Sequence, residues 1–158
     1  QVGCLRPHLA PTLAAMSTVQ FASEREESFV AIELLEVAEA AYAPGDALLG
    51  VRVQSSGFAG TSEVWVLLEQ LRQFCAELMA LNGSLRGEAT LNSISPEELE
   101  LKVLSVSSRG HIAVQGKVGR YVYGSERMYW HSTAFGFEFE QTQLAPAVQV
   151  PWVVANGG

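Results

Sequence analysis

Positive charge is scarce in this chain of 158 residues: ten lysines and arginines face seventeen aspartates and glutamates, for a net charge of −7. A phosphate backbone is held by clustered cations, so nucleic acid is excluded as a partner class. Histidine is scarcer still, and past the N-terminal segment only His111 and His131 remain. On adjacent strands they could approach one another, but a third spaced ligand is missing, so no metal centre is expected. Neither histidine belongs to a nucleophile–base motif, and the chain reads as non-enzymatic, with no cofactor and no catalytic residue. Cys4 and Cys75 are too few for a disulfide framework and fit a reducing compartment, with Cys75 a small core residue in an apolar stretch. No run of 18 apolar residues occurs, so no spanning helix is expected. Gly116, Gly119 and Gly124 follow no strand-to-helix junction, which excludes a phosphate-cradling loop; they read as bulges or strand bends. Glu138 and Glu140 share a strand face, close enough for acid–base chemistry, but with nothing else in support they read as solvated edge charges.

What is abundant is apolar. Hydrophobic residues make up 48% of the chain and charged residues 17%, enough for one ordinary core. Met16-Ser17-Thr18 reads as a native start, and residues 1–20 as a disordered or non-native extension, broken by Pro7 and Pro11 and poor as a signal peptide. A single domain is expected over 21–144, followed by a C-terminal tail at 145–158.

From Ser28 to Val37 the alternation puts Val30, Ile32, Leu34 and Glu36 on the core-facing side of a strand. A turn cluster at Tyr42–Asp46 leads to a second strand in which Leu49, Val51 and Val53 oppose Arg52 and Gln54. Ser55–Ser62 reads as an exposed loop or short edge strand with Phe58 as its one large apolar residue. Leu67, Leu68, Leu71, Phe74, Cys75, Leu78, Met79 and Leu81 then fall at helical spacing, which predicts an amphipathic helix over Val64–Leu81. Thr61, Ser62 and Glu63 supply its start signals and Asn82-Gly83 its left-handed stop. Four strands follow, in LRGEATLNSI, ELELKVLSVS, HIAVQGKVGRYVY and MYWHSTAFGFEFE. The order β-β-α-β-β-β-β predicts an α+β fold: one bent antiparallel sheet of about six strands packed on one central helix. Pro146 and Pro151 disfavour a long final helix, so the tail should be loosely attached.

Two surfaces stand out for function. Residues 24–46 hold seven carboxylates against Arg25 alone, and Glu33, Glu36 and Glu39 would meet a basic partner, with Phe58 beside them. Arg120 with Tyr121 and Tyr123, and Arg127 with Tyr129 and Trp130, have the composition of interface hot spots, although Tyr129 and Trp130 suit a core equally well. The partner-binding residues expected are therefore Glu33, Glu36, Glu39, Phe58, Arg120, Tyr123 and Arg127. The alternative is a small-molecule binding protein or enzyme with a pocket between helix and sheet, lined by Phe135, Phe137 and His111.

The stretches GFAGTSEVWVLLEQLRQFCAELMALNGSLRGEATL, RGHIAVQGKVG and FGFEFEQTQL, in that order and spacing, resemble small bacterial immunity proteins of the WapI type from polymorphic toxin systems. The resemblance spans residues 28–144. It implies a cytoplasmic protein that binds and neutralises a toxin by surface complementarity, without cofactor or catalysis; the acidic segment adds that the toxin domain should be basic, and a monomer or homodimer without a membrane partner is expected. It also implies a C-terminal helix, which Pro146 and Pro151 interrupt in this chain.

Overall fold

The computed structural model describes residues 17–25 and 27–158, so the expectation for residues 1–15 lies outside the described residues. Among the described residues eight strands form: β1 (Thr18–Ala22), β2 (Phe29–Ala40), β3 (Ala43–Ser55), β4 (Phe58–Leu67), β5 (Glu88–Asn92), β6 (Leu99–Ser105), β7 (Ile112–Tyr123) and β8 (Met128–Phe139). Helix α1 (Leu68–Ser84) lies between β4 and β5; a 3-10 turn (Gln141–Gln143), α2 (Leu144–Val148) and α3 (Pro151–Gly157) close the chain. The strands divide into two antiparallel four-stranded sheets, β1-β2-β3-β4 and β5-β6-β7-β8. The fold is α+β, but the expectation of a single six-stranded sheet on one helix is corrected. Helix α1 carries the chain from the first sheet to the second.

Two strands account for the difference. β1 lies partly within the segment assigned to the N-terminal extension. β4 contains both the expected loop and the expected helix start: Ser62, Val64 and Val66 are buried while Thr61, Glu63, Trp65 and Leu67 are exposed, a period of two. Ser56 (φ 48°) and Gly57 (φ 89°) make a two-residue turn between β3 and β4, and two successive left-handed residues match the right-handed twist of a hairpin. Helix α1 then starts directly at Leu68 and buries Leu68, Leu71, Phe74, Cys75, Leu78 and Leu81. It runs past Asn82-Gly83 to Leu85, which takes the left-handed conformation (φ 56°) and donates its N–H to Leu81 O at 2.8 Å. That conformation costs about 1–2 kcal/mol, which the packing of Leu85 against the core offsets.

The inner faces of the two sheets and the apolar stripe of α1 form one core. Register decides which side chains reach it. In β2, Leu34 pairs with Leu49 but Glu36 pairs with Leu48, so Leu35 is an inserted residue and Glu36 turns outward, against the simple alternation. Through Gly116 and Gly119 the pairing of β6, β7 and β8 is unbroken, so neither is a bulge. Both permit close approach instead: a Cβ on Gly116 would overlap the Glu100 carbonyl, and one on Gly119 the Trp130 ring.

The C-terminal segment is not loosely attached. Leu144, Ala147, Val148, Val150, Trp152 and Val153 are buried, and both short helices pack on α1. Trp152 Nε1–H donates to Ser17 O at 2.7 Å, fastening α3 beside β1. No long helix forms, as expected, yet Pro146 and Pro151 stand in first turns, where a missing N–H leaves no intrahelical bond unmade.

Candidate binding surfaces

The outer face of the first sheet is organised in cross-strand rows. Thr18, Glu33, Gly50 and Glu63 form one, Gln20, Ala31, Arg52 and Thr61 the next, and Glu36, Leu48 and Trp65 a third. Glu33 and Leu35 lie over Gly50, since a Cβ there would meet Glu33 Cγ at 3.3 Å and Leu35 Cδ1 at 3.4 Å. Glu36 and Glu39 are exposed on the rim near the β2–β3 turn, where Glu39 falls at a second register shift. Between these carboxylates lie Leu35 (42% exposed), Trp65 (38%) and Leu67 (43%), whereas Val37 shares a row with buried Ala47 and Val66 and belongs to the inner side. Sequence reasoning missed Trp65 and Leu67 as surface groups because it placed them on a helix. The alternation Ser62-Val64-Val66 against Glu63-Trp65-Leu67 is the signal that separates the two readings.

Phe58 is 71% exposed at the start of β4 but lies at the opposite end of the sheet from Glu39. The roughly ten residues between their levels correspond to about 33 Å of strand, so the two do not share a patch.

Arg120, Tyr123 and Arg127 all lie on an arm formed by the far ends of β7 and β8 and the turn between them, Tyr123 on the face opposite Arg120. The arm continues beyond the inter-sheet contact, and Tyr121, Val122, Tyr123, Met128 and Tyr129 on it are all exposed. Its two faces differ. Tyr121 and Trp130 pair in an edge-on contact, ring centroids 5.0 Å apart, on one face. Arg120 opposite His131 and Val122 opposite Tyr129 occupy the other. The Arg127 guanidinium lies 5.1 Å from the Tyr129 ring centroid, and its Nε–H donates to Tyr129 Oη at 3.1 Å. Neither Tyr129 nor Trp130 is core.

The histidines do not meet. His131 faces Arg120, whereas His111 precedes Ile112 at the other end of β7, about 30 Å along the strand. His111 Nδ1 lies 2.9 Å from Ser107 Oγ, on the wall of an open cleft of about 680 Å3 that Glu24, Phe137 and Glu140 also line. A hydrogen bond with Glu24, and the proximity of that second carboxyl, hold Glu140 above the usual carboxylate range. Phe135 is buried and lines no part of this cleft, so the three residues of the pocket alternative are not brought together. The space between helix and sheets is filled by core side chains. Among the described residues no group of three or more metal-ligating side chains forms, and no helix is long and apolar enough to cross a membrane.

Lysines and arginines are used differently. Lys102 pairs with Glu88 at 3.6 Å, and Lys117 with Glu97 at 3.0 Å and Glu100 at 3.7 Å, all on the second sheet but Glu97, which lies in the β5–β6 turn. Among the described residues, Arg52, Arg120 and Arg127 have no carboxylate within ion-pair distance.

Fold and surfaces together define a class: an α+β protein of two facing antiparallel sheets whose candidate functional groups lie on exposed strands and a projecting hairpin. The chain belongs to the immunity protein WapI-like family, matched over residues 20–150. No curated protein and no solved structure matches it.

Proposed function

We propose that this chain is an immunity protein that binds a cognate toxin and neutralises it by surface complementarity, without catalysis, in the cytoplasm. The observation that carries the reading, beside the family, is the outer face of the first sheet: apolar Leu35, Trp65 and Leu67 interleaved with Glu33, Glu36 and Glu63. An apolar centre whose end at Leu35 and Leu67 is rimmed by carboxylates favours a partner with the same centre and a basic rim there, here a basic toxin domain. Glu33, Glu36 and Glu39 steer that partner, and Trp65 is the anchor.

The arm supplies hot-spot chemistry of its own through Tyr123, Arg120 and Arg127, and Phe58, exposed at the sheet's other end, would contact a partner only separately from the acidic face. Co-expression with the toxin domain encoded beside this chain tests the reading. Growth should be restored by the wild-type chain and a complex should co-purify at micromolar concentration. Failure to bind any neighbouring gene product at that concentration would refute it.

A further inference from the structure

β4 is the last strand of its sheet, so one of its edges has no neighbouring strand. Two carbonyls show which residues face that way. Ala59 O accepts from Thr133 Oγ1 at 2.9 Å, and Trp65 O from the Ile94 N–H at 2.8 Å, both from outside the sheet. Main-chain groups alternate sides along an antiparallel strand. Thr61 and Glu63, of the same parity and between those two, therefore also point N–H and C=O outward. Among the described residues neither makes a hydrogen bond beyond the ladder with β3. The edge is stoppered at both ends and open in the middle.

The Ala59–Thr61 part of this edge forms one wall of an open groove of about 710 Å3, and the β7–β8 arm forms the other. Arg52, Arg120 and His131 line it together with apolar Phe29 and Val122. Neither arginine is neutralised by a described carboxylate, in a chain whose net charge is −7. An unpaired strand edge is a template for another strand, and main-chain bonds supply affinity there while flanking side chains supply selectivity.

We propose that the β4 edge binds an extended, acidic segment of a partner protein as an added strand, its main chain bonding to Thr61 and Glu63 and its carboxylates meeting Arg52, Arg120 and His131. This site adjoins the acidic face assigned to a basic toxin and shares Glu63 with it, but Arg52, Arg120 and His131 at its Ala59–Thr61 end select the opposite charge. A second copy of this chain is a poorer occupant. Twofold pairing about Ser62 would set Glu63 of each copy against the other's edge and bring two chains of charge −7 together.

The test uses the full chain and a capped synthetic peptide of alternating threonine and valine with two aspartates at one end, followed by amide NMR and hydrogen exchange. On titration the Thr61 and Glu63 amides should shift and their exchange slow at least tenfold, while a peptide with lysines in place of aspartates binds at least tenfold more weakly. Thr61→Pro should abolish binding with the remaining spectrum intact, because the lost N–H points outward and is not part of the β3 ladder. Should that variant fail to fold, Arg52→Glu with Arg120→Glu should reverse the preference to the lysine peptide. Unchanged exchange at Thr61 and Glu63 at millimolar peptide, or equal binding of the two peptides, would overturn the proposal.

Discussion

The rings of Phe21 and Phe139 stack with centroids 4.4 Å apart and planes inclined by 19°. Phe21 is on the first strand of one sheet and Phe139 on the last residue of the last strand of the other, so one contact joins the two ends of the strand order. Phe21 is fully buried and Phe139 nearly so.

Truncating either ring should therefore leave a cavity at the junction of the sheets. Phe21→Ala and Phe139→Ala are each expected to cost about 3–5 kcal/mol, with a coupling of about 0.5–1.5 kcal/mol in a double-mutant cycle. Urea denaturation of the two single variants and the double variant measures this. Strictly additive losses would show that the rings do not act on one another.

The amide of Gln143 closes the open edge of β1. Its Nε2–H donates to Ala22 O at 2.8 Å, and its Oε1 accepts from the Ala22 N–H at 2.9 Å, as a neighbouring strand would. Gln143→Leu leaves both partly buried groups without those partners and should destabilise the fold by about 1–3 kcal/mol. A change below about 0.5 kcal/mol in chemical denaturation would mean that solvent replaces the clamp fully.

Much of this architecture is legible in the sequence, and what is not has identifiable causes. The period of three and four from Leu68 to Leu81 marks α1, and the alternation in β2, β3, β7 and β8 marks their buried sides. The start of α1 is misread because Val64, Val66, Leu67 and Leu68 taken alone satisfy both periods; the hairpin turn signal Ser56-Gly57 and the alternation of Ser62, Val64 and Val66 with Glu63, Trp65 and Leu67 together show that a strand precedes the helix. The outward turn of Glu36 depends on an inserted Leu35, which no local pattern reveals. The C-terminal segment looks like a tail because its prolines break helices, yet at first-turn positions they start them. Of the candidate surface residues, the acidic cluster and the arm are legible from composition. Trp65 and Leu67 follow from β4, and the open edge at Thr61 and Glu63 is a matter of tertiary pairing alone.

Burial pushes the Cys75 thiol up to about 12, well above the usual thiol value of about 9. Because the folded value lies above the unfolded one, the contribution to stability is fully present below about pH 9. It is lost as the pH rises from the unfolded value towards the folded value of about 12, because over that range the unfolded chain ionises and the folded one does not. Stability should therefore decline above pH 9, and Cys75→Ala should lack that alkaline decline while losing some packing. A thiol reagent at neutral pH should label Cys75 only at the rate of unfolding; rapid labelling of the native protein would contradict its burial.

The central claim is that the carboxylates on the first sheet steer a basic toxin onto an apolar centre at Trp65. Association and dissociation rates for the toxin domain encoded beside this chain test it most directly, measured at low and high salt for the wild-type chain, a Glu33→Lys, Glu36→Lys, Glu39→Lys variant and Trp65→Ala. The account predicts that charge reversal slows association at least tenfold at low salt and removes most of its salt dependence, whereas Trp65→Ala chiefly speeds dissociation. An association rate that charge reversal leaves unchanged at low salt would contradict the account.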